Sequence, residues 1–208
     1  MSRMSVIPLA SWAPELKAVV GDSQPSEIEL GVTRITAHRP ALSLAMIQYN
    51  QALRANRTLP ERLMELVRLR IAFHNQCRSC MAVRYASAVD DGLEEGAVCS
   101  LEKPLEAPDL SDGDKAAIEY GERLATNHLS IDDAFYDRLR RYFTEPQIVE
   151  LGLWAAWCVG VGRLAATWDM VEDLPEAFQD RSQPMAPWQA APVIVDRAGS
   201  KAGAPAAE

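Results

Sequence analysis

The chain has little of what several protein classes require. Its 208 residues include only four cysteines and three histidines. The cysteines form one Cys-x-x-Cys, Cys77 and Cys80, plus the lone Cys99 and Cys158. That spacing is no disulfide framework, and a chain of this length needs none to build a core. A second Cys-x-x-Cys or a His pair is missing, which disfavours a closed four-ligand zinc site, and no metal is expected. Basic residues are outnumbered: 21 Lys and Arg against 29 Asp and Glu give a net charge of −8. This argues against nucleic acid or an anionic membrane surface as the main partner. Long apolar runs are also scarce. The longest uncharged stretch, 151–162, stops at Arg163 and is too short to span a bilayer. The opening MSRMSVIPLASWAP holds no apolar segment followed by a small-residue cleavage site. A cytoplasmic protein without a membrane partner is expected.

What is present is a core-forming composition, 48% hydrophobic and 24% charged, enough for one globular domain. Residues 1–25 carry three prolines and read as an arm with at most a short helix over 15–20. Residues 26–175 read as helical almost throughout. Ser26 caps a helix over 27–38, and Pro40 opens another to 53. Thr58 and Glu61 make a capping box for a helix running to about 75. Further helices fit 77 to about 91, 94–100, 114–127, 132–142 and 145–169, the last capped by Thr144. No region alternates with a period of two, so strands are not expected. The fold class is all-α, a compact multi-helix bundle. Residues 176–208 read as an extended or disordered tail, rich in Ala and Pro from 183 on, with Trp188 and PVIV able to pin part of it to a neighbouring subunit.

The chemistry concentrates in 61–88, ERLMELVRLRIAFHNQCRSCMAVRYASA. Cys77 stands where one helix ends and the next begins. Unpaired N–H groups and the helix dipole at such a start favour thiolate over thiol. Three-residue spacing puts Cys77 and Cys80 on one helical face, close enough to bond. On a continuing helix Arg84 would share that face and lower a thiol pKa, with Arg78 adding positive charge. Tyr85 and Met81 would line an apolar pocket. The preceding helix is apolar nearly all round, so Glu65, Arg70 and His74 are candidates for buried polar groups, Glu65 as a proton shuttle. The bland alternatives are half a zinc site or inert cysteines at 77 and 80, a packed Cys158, a bystander Cys99, an Arg70 held in a structural ion pair, and a Trp154/Trp157 pair in the core or a subunit interface. The segments PERLMEL (60–66) and EPQIVEL (145–151) echo each other weakly.

The same segment resembles the core of the carboxymuconolactone decarboxylase and alkylhydroperoxidase D-like superfamily. Members carry a Glu on one helix and a Cys-x-x-Cys at the next, and Glu65, Cys77 and Cys80 fall in that register. The resemblance extends more loosely from about 40 to 164. It implies a homo-oligomer, commonly a trimer or a dimer-based hexamer, and no bound organic cofactor. In the peroxidase branch it implies that Cys80 is the activated thiol, Cys77 its disulfide partner and Glu65 part of a proton relay. The substrate is then a hydroperoxide, and an external dithiol is the reductant. The sequence departs from the pattern in three places. Arg84 stands where a His is expected, Ser79 replaces a His between the cysteines, and His74 stands where Glu is common, which makes His74 the candidate replacement imidazole. A decarboxylase would instead use Arg70, Arg84 and His74 to hold carboxylates and deliver a proton. A third reading is a non-catalytic thiol redox sensor.

Overall fold

The computed structural model describes residues 2–196. Its helices are α1 (Pro14–Val20), α2 (Glu27–Leu30), α3 (Thr33–Thr36), α4 (Pro40–Ala55), α5 (Glu61–Asn75), α6 (Arg78–Met81), α7 (Ala86–Asp90), α8 (Glu95–Cys99), α9 (Asp112–Thr126), α10 (Asp133–Leu139), α11 (Glu145–Trp168) and α12 (Glu176–Gln179). Two three-residue strands, β1 (Val83–Tyr85) and β2 (Val193–Val195), pair in parallel.

Helix α5 is the axis of the fold. Every residue from Leu63 to Ala72 is buried, and α9 and α11 pack along it. Backbones come close where side chains vanish: a Cβ on Gly121 would lie 2.8 Å from Val67 Cγ1, so α9 can approach α5 there only as glycine. Helix α11 starts at a capping box, Thr144 with Gln147, and ends at Asp169 in the left-handed conformation. By length and composition it could cross a membrane; here it lies along α5 as a core helix, with Leu151, Trp154, Ala155 and Cys158 buried. The arm is anchored rather than loose, because Trp12 and Leu16 bury themselves against Leu30 and Ala37.

Several expectations give way to tertiary structure. The helix expected over 27–38 breaks at Gly31, whose φ of +48 suits a residue without a Cβ. Thr58 does not cap α5. Its N–H and hydroxyl donate to Glu150, while Glu61 pairs with Arg57. The helix expected from 77 to about 91 exists only as the separate α6 and α7. Between them Val83–Tyr85 is extended, because β2 pairs with it register for register. The tail expected to be extended or disordered is packed as far as Asp196: Phe178 is fully buried, and Met185, Ala186 and Val195 are nearly so. The rest of that tail, 197–208, lies outside the described residues.

Candidate active site at the Cys77–Cys80 turn

The site begins where α5 stops. Gln76 adopts the left-handed conformation, and the Cys77 N–H donates to the Ala72 carbonyl at 3.1 Å, the hydrogen bonding of a helix that reverses direction. Cys77 then flanks α6, and its sulfur is bonded to that of Cys80, with the Cα atoms 5.2 Å apart. The two sulfurs are not equivalent. Cys77 is fully buried, whereas Cys80 is half-buried and lines a cavity of about 80 Å³. Tyr85, Trp154, Trp157, Val161 and Cys158 form much of its wall, and Arg68 is the cation on it. The apolar wall favours organic ligands over fully hydrated ones.

The turn is held from beneath by an ion pair. Arg68 donates from Nε and Nη2 to the Glu65 carboxylate at 2.6 and 2.7 Å, and from Nη1 to the Cys80 carbonyl at 2.6 Å. Its Nη2 also reaches the Val83 carbonyl, and the Tyr85 N–H donates to Glu65. Burial opposes the Arg68 charge, but the Glu65 carboxylate outweighs it and holds the guanidinium protonated. The fork-on-fork geometry fixes Arg68 against the turn in a way a lysine could not reproduce. The face above is closed by the chain's own C-terminal segment. Gln76 exchanges hydrogen bonds with the Met185 backbone, Arg78 donates to the Gln183 carbonyl, and Val195 joins the cavity wall.

Residues 40–122 match the carboxymuconolactone decarboxylase family. The fold is similar to that of an uncharacterised peroxidase-related protein from Ralstonia eutropha described as an alkylhydroperoxidase AhpD core (TM-score 0.67, 20% identity, 86% of this chain and 94% of that one). It is also similar to a putative antioxidant defence protein AhpD from Agrobacterium tumefaciens (TM-score 0.55, 18% identity, 65% and 92%). The chain is thus similar to the carboxymuconolactone decarboxylase family over residues 40–122, and in fold to alkylhydroperoxidase D-like proteins. The debrominase Bmp8, solved as a Cys-to-Ala variant with 2,3,4-tribromopyrrole, shares the fold as well (TM-score 0.63, 17% identity, 90% and 96%). In sequence the chain is 34% identical over 117 residues to uncharacterised proteins of two Mycobacterium tuberculosis strains. That match covers 55% of this chain and 40% of the length of those relatives.

Within this fold the expected site residues separate. Cys77, Cys80 and Glu65 are brought together, Glu65 through Arg68 rather than by direct contact with sulfur. Arg84 is not on the face of Cys80. As part of β1 it is fully buried and turned to Glu95 and to the Met81, Val83 and Pro187 carbonyls, so it braces the strand; burial lowers its pKa. His74 does not line the cavity, and its Nε2 lies 3.5 Å from Glu122 Oε1. Arg70 donates to the same Glu122 and to the Leu101 carbonyl, as an ion-pair brace does. His74 and Arg70 together pull the Glu122 carboxyl down to about 2, against the opposing effect of burial. Tyr85 lines the pocket as expected, but Met81 is buried elsewhere, in the cluster around Phe178. Arg68 is a site residue outside the sequence expectations, its signal the i,i+3 spacing from Glu65, while Cys158 is packed in the core as expected and also lines the cavity.

Proposed function

We propose that this protein is a thiol-dependent peroxidase that reduces an organic hydroperoxide and is returned by an external dithiol. The observation that carries this reading is a bonded Cys77–Cys80 pair of which Cys80 alone lines an apolar cavity. The Cys80 thiolate attacks the terminal peroxide oxygen. An S–O bond forms as the O–O bond breaks, and the departing alkoxide takes a proton from solvent. The Cys77 thiolate then attacks the Cys80 sulfur and displaces hydroxide, which leaves as water. That step closes the 77–80 bond, and two exchanges with a dithiol reopen it.

Arg68 serves this cycle electrostatically. It stands on the cavity wall beside Cys80 and favours the anionic sulfur, but it cannot carry protons at neutral pH. Glu65 keeps Arg68 in place. In this reading Glu65 and Arg68 are positioning residues, and His74 steadies Glu122. The decarboxylase alternative draws no support from geometry, since Arg70, Arg84 and His74 all lie off the cavity wall in other interactions. We further propose that the working form is a cytoplasmic homo-oligomer, trimeric or hexameric.

Steady-state consumption of cumene hydroperoxide with dithiothreitol as reductant tests the proposal. Turnover in wild type and its loss in Cys80→Ser support it. A wild-type protein that forms the disulfide once and never turns over is a sensor, and that outcome rejects the peroxidase reading.

A further inference from the structure

Beside Cys80 the cavity wall carries another cysteine that the proposed cycle does not use. Cys158 lies on α11 and lines the same cavity as Cys80. The helix passes directly over the disulfide: a Cβ placed on Gly162, one turn beyond Cys158 on the same face, would lie 4.0 Å from Cys80 Sγ. The register is pinned at this level, because Asn75 Nδ2 at the end of α5 donates to the Cys158 carbonyl at 3.1 Å. The same Asn75 leaves no room for a side chain at Gly162, whose Cβ would be 2.7 Å from Nδ2. Arg68 is close enough to Cys158 for a thiolate there to add to the charge that holds the guanidinium protonated, and the cation in turn counters that thiolate.

We propose that Cys158 is a redox thiol of this site, which exchanges with the disulfide at Cys80 to give an 80–158 bond and release Cys77. The direction of attack follows from access, since Cys80 and not Cys77 lines the cavity that Cys158 shares. The Cys158 thiolate forms a bond to Cys80 Sγ as the Cys77–Cys80 bond breaks, and the electron pair leaves on Cys77. Cys158 has given up one proton and Cys77 takes one up. One disulfide is consumed and one is formed, so the step needs neither oxidant nor reductant. The Ser79 hydroxyl, 3.6 Å from Cys77 Sγ, can donate to the released thiolate. The consequence is structural: the oxidising equivalent moves from the short α6 turn to a cross-link between that turn and the long core helix. An external dithiol would then meet a different bond from the one that hydroperoxide creates.

The test uses the intact oxidised protein and no hydroperoxide, so failure of the peroxidase reading would not decide it. The protein carrying the 77–80 bond is held without added thiol from neutral to about pH 9, quenched in acid, then denatured, alkylated with N-ethylmaleimide at mildly acidic pH and mapped by mass spectrometry. The expected result is an 80–158 linked peptide with label on Cys77, rising with pH and lost in Cys158→Ala. In a second arm Cys77→Ser, oxidised with diamide, should join Cys80 to Cys158. The proposal is overturned if wild type keeps only the 77–80 bond with label on Cys158 at every pH and Cys77→Ser forms no 80–158 bond. A bond from Cys80 to the exposed Cys99 in equal yield would also overturn it, since that would mark scrambling after unfolding.

Discussion

Helices α5 and α11 begin with similar segments, yet they meet opposite fates in the fold. Helix α5 carries Glu65, Arg68 and Arg70 in its middle, and all three are buried. Helix α11 has no charged residue between Glu150 and Arg163, yet Leu153 and Leu164 are each more than two-fifths exposed. The more polar helix is thus the deeper one. Burial here follows topology, because α5 is covered by α9, α11 and the α6–α8 region, while α11 has one covered side. The charges of α5 survive burial by pairing with carboxylates and carbonyl groups, and Glu65 and Arg68 through those contacts position the cysteine turn. The apolar face of α11 contributes the cavity wall opposite.

The largest effect should come from chemistry at the turn: Cys80→Ser should reduce hydroperoxide consumption to the buffer rate, measured with dithiothreitol in excess. Next comes the buried pair. Arg68→Met strands the Glu65 carboxylate and should cost about 3–5 kcal/mol in chemical denaturation. The double change Glu65→Gln with Arg68→Met should cost less than Arg68→Met alone, because no uncompensated charge remains. If the double variant loses the sum of what Arg68→Met and Glu65→Gln lose singly, Glu65 and Arg68 are not energetically coupled.

Packing separates the covered and open helix faces on a smaller scale. Gly121→Ala pushes a Cβ into Val67 and Ile71 and should lose about 1–3 kcal/mol. Gly160→Ala on the open side of α11 meets nothing within 4 Å and should gain about 0.5–1 kcal/mol from helix propensity. Equal effects at the two positions would erase the distinction. A further effect is a pH window. The Glu122 carboxyl is held down to about 2 from an ordinary 4.5, so its contribution to stability is complete above the unfolded pKa and is lost as pH falls towards 2. Thermal melts of wild type and Glu122→Gln should therefore converge as pH drops through that range.

The helical class, the principal helices and the Cys77–Cys80 pair were legible because each rests on local signals: caps, prolines and short spacing. What depended on distant chain was not. The break at Val83–Tyr85 requires β2 more than a hundred residues later, and with it Arg84 left the face of Cys80 for Glu95. The tail read as loose because its composition is poor in long side chains, yet backbone groups at Gln183, Met185 and Pro187 accept from Arg78, Gln76 and Arg84. Arg68 was illegible for a third reason. On a helix buried all round, periodicity no longer says which way a residue points, and the cations expected beside the cysteines are Arg84 and Arg78.

The central claim is that Cys80 and Cys77 act as one peroxide-reactive dithiol. It is tested most directly by giving the fully reduced protein one equivalent of cumene hydroperoxide and then counting thiols and alcohol product. The account predicts the loss of two of the four thiols, a disulfide involving Cys80 that leaves Cys99 labelled, and one equivalent of alcohol. Four intact thiols with the hydroperoxide unconsumed would contradict it.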